Sequence, residues 1–243
     1  TQTGQKYDLS DSIYNLCPYQ NIIELINKQN KKEIAKGVFR FPIDKNGPKS
    51  FSSFLSKIRK EAKTHELTYG YFNEPDHTIH QFGVNSKQTK QKLKKYVNQI
   101  TNFAKRNKNL LIITIADHGL IDINPIFIND YPDLRKLLLL PHSLEPRTPN
   151  FKIINGKENE FKILFENYLG EHFTLIKNDK IEENHIFSPN KINEKAKQFL
   201  GDYIAIAKDN SALIFEGGSN FKAHHGGNTI EEMFINISVF NKE

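Results

Sequence analysis

A short apolar run, Asn109 to Ala116, limits most strongly what this chain can fold into, because Asp117-His118-Gly119 follows it at once. A run of that length, rich in Ile and Leu, suits a buried strand, and it falls far short of the ~18–20 apolar residues that a membrane span needs. Upstream, Leu93, Val97, Ile100 and Phe103 recur at three- and four-residue steps through Lys87–Lys108. That spacing predicts an amphipathic helix whose solvated face carries Lys90, Lys92, Lys94 and Lys95. Earlier still, Leu67–Phe72 reads as a strand ending at Asn73-Glu74-Pro75-Asp76. Strand, helix and strand, with acidic and histidine residues closing both strands, predict a βαβ unit with its site at the strand C-termini.

The flanking segments extend this pattern. Helices are expected over Tyr19–Asn30, through Ile22, Ile23, Leu25 and Ile26, and over Phe51–Lys63, through Phe51, Phe54, Leu55 and Ile58. Between them Lys36–Pro42 reads as extended, followed by a turn at Asp44–Pro48. From Asp122 the texture changes. Pro125, Pro132, Pro141, Pro146 and Pro149 punctuate the chain, with one short helix expected near Pro132–Leu139. Phe151–Ile154, Lys157–Leu169 and Phe173–Ile176 then read as strand, helix and strand. Gly201–Ala207 and Ala212–Phe215 resume strand-like runs, Glu216–Thr229 is a Gly-rich loop, and Met233–Phe240 supplies a last strand. The expectation is an α/β protein with core residues 1–121, a small α+β cap over 122–200, and a return to the core over 201–243.

Composition narrows the class. At 243 residues, 37% hydrophobic and 11% aromatic, the chain can bury a sizeable core, which excludes a disordered tail or a fibre. The single cysteine, Cys17, excludes an intrachain disulfide framework and any multi-cysteine metal site. The excess of 34 Lys and Arg over 28 Asp and Glu is small for this length and spread along the chain. It reads as solvated lysine faces, so no nucleic-acid partner is expected. Thr1-Gln2-Thr3-Gly4 has neither the basic start nor the apolar stretch of a signal peptide.

Three clusters could carry chemistry. If a helix begins near Asp76, then Asp76 and His80 lie one turn apart on one face, a spacing that can chelate a metal. The plainer alternative is an Asp N-cap beside a surface histidine. Asp117-His118-Gly119 places a carboxylate and an imidazole at the mouth of an apolar strand, as a ligand pair or as a simple strand-ending turn. His224-His225-Gly226-Gly227 could bring imidazole to a metal with close backbone approach, although a His-rich loop alone is a weak signal. Taken together, the three clusters fit a two-metal hydrolase site.

In their order, Glu74-Pro75-Asp76 with His80, Ala116-Asp117-His118-Gly119, and His225-Gly226-Gly227 leading to Thr229, Glu231, Glu232 and Met233 resemble the type I phosphodiesterase/nucleotide pyrophosphatase family. That family belongs to the alkaline phosphatase superfamily. The resemblance takes in Pro132-Asp133-Leu134, Pro141–Arg147 and Leu200–Tyr203, and so spans about residues 65 to 240. It implies an alkaline-phosphatase-like α/β/α sandwich with a mostly parallel sheet and two divalent metal ions, usually Zn2+. By motif match, Asp76, His80 and His225 would hold one ion, His225 being preferred to His224 because it directly precedes the glycine pair. Asp117 and His118 would hold the second.

The implied reaction is hydrolysis of phosphodiester or pyrophosphate bonds in nucleotides or other small phosphoesters, through a covalent Thr or Ser intermediate. No residue before 65 matches the family's first Asp or its nucleophile segment, although Thr3-Gly4 could be the tail of that segment. The expectation is therefore the C-terminal part of a longer enzyme, inactive on its own, with a self-contained Asp76–His80–His225 site and a weak second one. Arg147 could reach a substrate phosphate or form an ion pair with Glu145 or another acid. Two alternatives remain: a non-catalytic metal- or nucleotide-binding module, and a phosphatase or sulfatase of the same superfamily.

Overall fold

The computed structural model describes residues 20–183, 185–187, 189–192, 194–197, 199–215 and 220–241. Cys17 and the Thr1–Gly4 segment lie outside the described residues. The chain divides into two compact units, one of residues 20–116 with 236–241 and the other of residues 117–235.

The first unit opens with helix α1 (Ile22–Asn30), β1 (Ala35–Phe39), α2 (Phe51–Glu61) and β2 (Leu67–Tyr71). Asn21 caps α1 in a capping box with Glu24, and Ser50 caps α2 through Ser53. β1 and β2 pair in parallel from Ala35↔Leu67 to Phe39↔Tyr71, with α2 as the crossover. The apolar face of α2 explains that arrangement. Phe51 and Phe54 lie 5.1 and 5.2 Å from the Phe72 ring, and Tyr96 closes the cluster 4.4 Å from Phe51. Tyr96 belongs to α4 (Lys87–Arg106), which follows the short α3 (Asp76–Phe82).

One expectation changes here. β2 and the next strand, β3 (Ile112–Ile115), do not form one parallel ladder among the described residues: β2 pairs with β1, so the parallel βαβ unit is β1–α2–β2. β3 is not buried on both faces either, since Ile113 and Ile115 are 58% and 61% exposed while Ile112 and Thr114 are half-buried. Length and apolarity alone cannot separate a doubly buried strand from one with a single covered face, because both read as an unbroken run.

The second unit begins with β4 (Ile121–Asp122) and β5 (Asn124–Phe127), then the one-turn α5 (Pro132–Arg135). The hairpin β6 (Ser143–Glu145) and β7 (Thr148–Phe151) leads to α6 (Glu158–Leu169) and β8 (Phe173–Lys177). Short helices α7 (Asp179–Glu183) and α8 (Glu194–Lys197) precede β9 (Tyr203–Ala207), β10 (Ser211–Ile214), β11 (Ala223–His224) and α9 (Ile230–Met233). The chain then rejoins the first unit as β12 (Ile237–Phe240), antiparallel to β3. β6, β7, β9 and β8 form one antiparallel sheet in that order, so β9 completes a sheet whose other strands come from the stretch expected to be the cap. β10 pairs with β5 in parallel, and β11 pairs with β4 antiparallel. The core of this unit is aromatic: Phe151, Phe161 and Phe165 are fully buried and packed ring to ring at 5.2–5.6 Å. Among the described residues no helix is long and apolar enough to cross a membrane.

His142 sits at the edge of this core, 5.5 Å from the Phe215 ring, with Nε2 3.1 Å from the Leu213 carbonyl. Burial pushes its imidazole down to about 4, against the opposing pull of that hydrogen bond. The unfolded chain takes up a proton near the ordinary value of 6.5, which the folded state refuses until about pH 4. Stability is therefore expected to fall by about 3 kcal/mol as pH drops through that window. In urea titrations at pH 7 and pH 4.5, His142→Gln should flatten this part of the acid dependence; an unchanged dependence would contradict the assignment.

Candidate functional site

Asp76 and His80 share one face of α3 in the first unit. His80 Nε2 lies 3.3 Å from Asp76 Oδ1; the imidazole is buried, whereas the carboxylate is 37% exposed. The alternative of an Asp N-cap with a surface histidine does not hold, because Pro75 occupies the N-cap position and His80 is covered. His77, by contrast, is exposed beside Gln81. The helix is pinned from the opposite side. Lys92 on α4 donates to Glu74 Oε1 at 2.9 Å and to Thr78 Oγ1 at 2.5 Å, and Thr78 donates to Glu74 Oε2 at 2.8 Å. Burial raises the Glu74 carboxyl, but hydrogen bonds from Lys92 and Thr78, with the lysine charge, outweigh it and hold the group below its ordinary value. The lysine-rich helix therefore does more than carry a solvated face.

Asp117, His118 and His225 belong to the second unit. The imidazoles of His118 and His225 stack with centroids 3.8 Å apart and planes inclined at 27°. His118 Nε2 is 3.8 Å from the exposed Asp117 carboxylate. His225 follows directly after β11, whereas the preceding His224 is buried within β11, 5.4 Å from the Phe221 ring. The turn after His118 is anchored by Gly119, whose N–H donates to the Glu232 carbonyl at 2.9 Å. A Cβ at Gly119 would lie 1.8 Å from the Glu231 carbonyl oxygen, so only glycine allows this approach.

Arg147 departs from the expectation that it reaches a substrate. Its side chain is fully buried, and Nε and Nη2 donate to the two oxygens of Glu232 at 2.5 and 2.7 Å. Nη1 donates to the carbonyls of Asp209 and Ser211 at 2.9 and 2.8 Å. The ion-pair alternative is the one realised, with Glu232 in place of Glu145. Burial raises the Glu232 carboxyl, but hydrogen bonds from Arg147, the Gly227 N–H and Thr229, with the guanidinium charge, hold it below its ordinary value. Sequence reasoning gave Glu232 no role, although Thr229-Ile230-Glu231-Glu232 carries a capping-box signature that could have marked it.

The model of the type I phosphodiesterase/nucleotide pyrophosphatase family matches residues 12–228. The chain belongs to this family. That match begins well before residue 65, where the motif resemblance begins. No curated protein matches the chain. Among solved structures, murine ectonucleotide pyrophosphatase/phosphodiesterase 5, as an inactive variant in complex with AMP, is similar at 19% identity and TM-score 0.64, covering 90% of this chain and 63% of that one. The same murine protein in a second structure gives 19% and 0.65, covering 89% of this chain and 62% of that one. The human protein of the same name gives 16% and 0.64, with 90% and 63% covered. The chain thus spans less than two thirds of the length of these structures, and the likeness establishes the alkaline-phosphatase-like α/β fold. The mostly parallel sheet that the resemblance implies is not seen among the described residues, where β1–β2 and β5–β10 pair in parallel and the other pairings are antiparallel.

Proposed function

We propose that this chain carries metal-binding elements of a hydrolase that cleaves phosphodiester or pyrophosphate bonds in nucleotide-type substrates through a covalent Thr or Ser intermediate. The observation that carries this reading is the stacking of His118 on His225, two residues far apart in sequence, within a family match that spans most of the chain. Imidazole and carboxylate donors without thiolate are a set that suits zinc. Asp76, His80 and His225 would hold one ion, and Asp117 and His118 the second. Bound ions in such a site polarise a phosphoryl oxygen and lower the pKa of a hydroxyl or water. The chain's own residues orient the donors: the Glu74–Thr78–Lys92 network fixes α3 beneath Asp76 and His80, and the stacked rings limit how His118 and His225 rotate. The AMP bound in the murine relative supports a nucleoside phosphate as ligand.

Zinc uptake, measured by competition with a chromophoric chelator, is expected for the unmodified chain and should be sharply weakened by Asp76→Ala and by His225→Ala. The zinc-loaded chain should then bind AMP in calorimetry, and the metal-free chain should not. Equal zinc uptake by all three proteins, or indifference of the loaded chain to AMP, would overturn the reading.

A further inference from the structure

Among the described residues, Glu232 touches both of the segments carrying the stacked imidazoles, one through its carboxylate and the other through its main-chain carbonyl. Its carboxylate accepts from the Gly227 N–H at 2.8 Å and from Thr229 Oγ1 at 2.9 Å, which holds the loop leaving His225. Its main-chain carbonyl accepts from the Gly119 N–H at 2.9 Å, which holds the turn leaving His118. Arg147 fixes Glu232 in turn. It sits at the tip of the β6–β7 hairpin, is anchored to the Asp209 and Ser211 carbonyls, and is followed by Thr148, whose hydroxyl donates to the Gly226 carbonyl. The glycine pair fits this mould. A Cβ at Gly227 would lie 2.6 Å from Glu232 Oε2, 2.7 Å from Arg147 Nη2 and 2.8 Å from Nε, so the loop backbone lies directly on the ion pair.

We infer that the buried Arg147–Glu232 pair is a positioning device that holds His118 and His225 against each other, with Arg147 acting through Glu232 and Glu232 through the two backbone segments. Insofar as the imidazoles are positioned for a metal ion, the inference rests on the function proposed above. The pair's geometry suits the task. A guanidinium fork bound to both oxygens of a carboxylate fixes orientation as well as distance, which a lysine in its place cannot do. With Arg147 fully buried and Glu232 3% exposed, neither partner is free to swing into solvent. Partners of this kind, outside the ligands themselves, change metal affinity on the order of 10- to 100-fold when removed.

The test uses the full chain with two variants, Glu232→Gln and the double variant Arg147→Met/Glu232→Leu. The double variant removes both charges together, so it keeps a folded protein available if the single one fails to fold. Two quantities are read on protein shown by circular dichroism to be folded: zinc affinity, by chelator competition, and the imidazole proton signals of His118 and His225 in the metal-free state. Loss of the mutual ring-current shifts of the two histidines, with zinc affinity lower on the order of 10- to 100-fold, is the expected result. A folded variant that keeps both the ring signals and the affinity would overturn the inference, because a merely structural pair would change the denaturation midpoint and nothing else. If the unmodified chain takes up no zinc, the metal reading fails, and the ring signals of the metal-free protein still decide whether the pair positions the histidines.

Discussion

Arg147→Met is expected to lower the unfolding free energy of the unit spanning residues 117–235 by about 3–5 kcal/mol. The substitution keeps an unbranched chain of similar length, so little packing is lost. What it removes is the partner of a carboxylate that is itself buried. A buried carboxylate left without its counter-charge must bear its desolvation or take up a proton, and either route destabilises the folded state. The Asp209 and Ser211 carbonyls lose their donor in the same step.

The pH dependence gives a second signature. Glu232 titrates below its ordinary value when folded, so the pair's contribution is present above 4.5 and is lost as pH falls through the folded value. Urea denaturation followed by circular dichroism should show the loss in full at pH 7 and a smaller difference from the unmodified chain in acid. Arg147→Met/Glu232→Leu should recover most of the loss at pH 7, because replacing a whole buried pair by apolar groups is close to neutral. A single variant within 1 kcal/mol of the unmodified chain would show that the pair is not what holds this region together.

Gly119→Ala should be nearly as damaging, for a steric reason. One methyl group would be built 1.8 Å from the Glu231 carbonyl oxygen, so the backbone on one side must retreat by well over an ångström. That retreat breaks the Gly119 N–H bond to the Glu232 carbonyl and shifts the turn that presents His118. The lost hydrogen bond and the strain together come to about 2–4 kcal/mol. Because the turn carries His118, the ring contact with His225 should be disturbed as well, and the imidazole proton signals of both residues are expected to move. Unchanged signals and an unchanged urea midpoint would mean that the turn adapts without cost.

Several elements were legible from the residues because their causes are local. The lysine-rich helix follows from apolar positions at three- and four-residue steps, whereas the helix at Asp76 enters the sequence reading only as the condition under which Asp76 and His80 share a face. The strand at β3 was legible as a strand but not in its pairing or burial. Partner choice depends on distant segments, here residues 237–240, and an apolar run does not say which of its faces will be covered. The same limit applies to Gly201–Ala207, which reads as a strand of the core return and pairs, as β9, with β7 and β8.

The candidate site divides along the same line. Asp76, His80, Asp117, His118 and His225 stand out as residue types at short spacings, and their order along the chain carried the family resemblance before any fold was known. The destination of Arg147 and the role of Glu232 could not be read in that way. Whether a guanidinium meets solvent, a ligand or a buried carboxylate 85 positions away depends on which backbone segments converge on it. By itself the sequence marked which groups are candidate metal ligands and the approximate place of many helices and strands, since those follow from side-chain chemistry and local periodicity. Only the tertiary structure decided that His118 and His225 stack and that an ion pair lies beneath their loops, because desolvation and close backbone approach exist only once distant segments have been packed together.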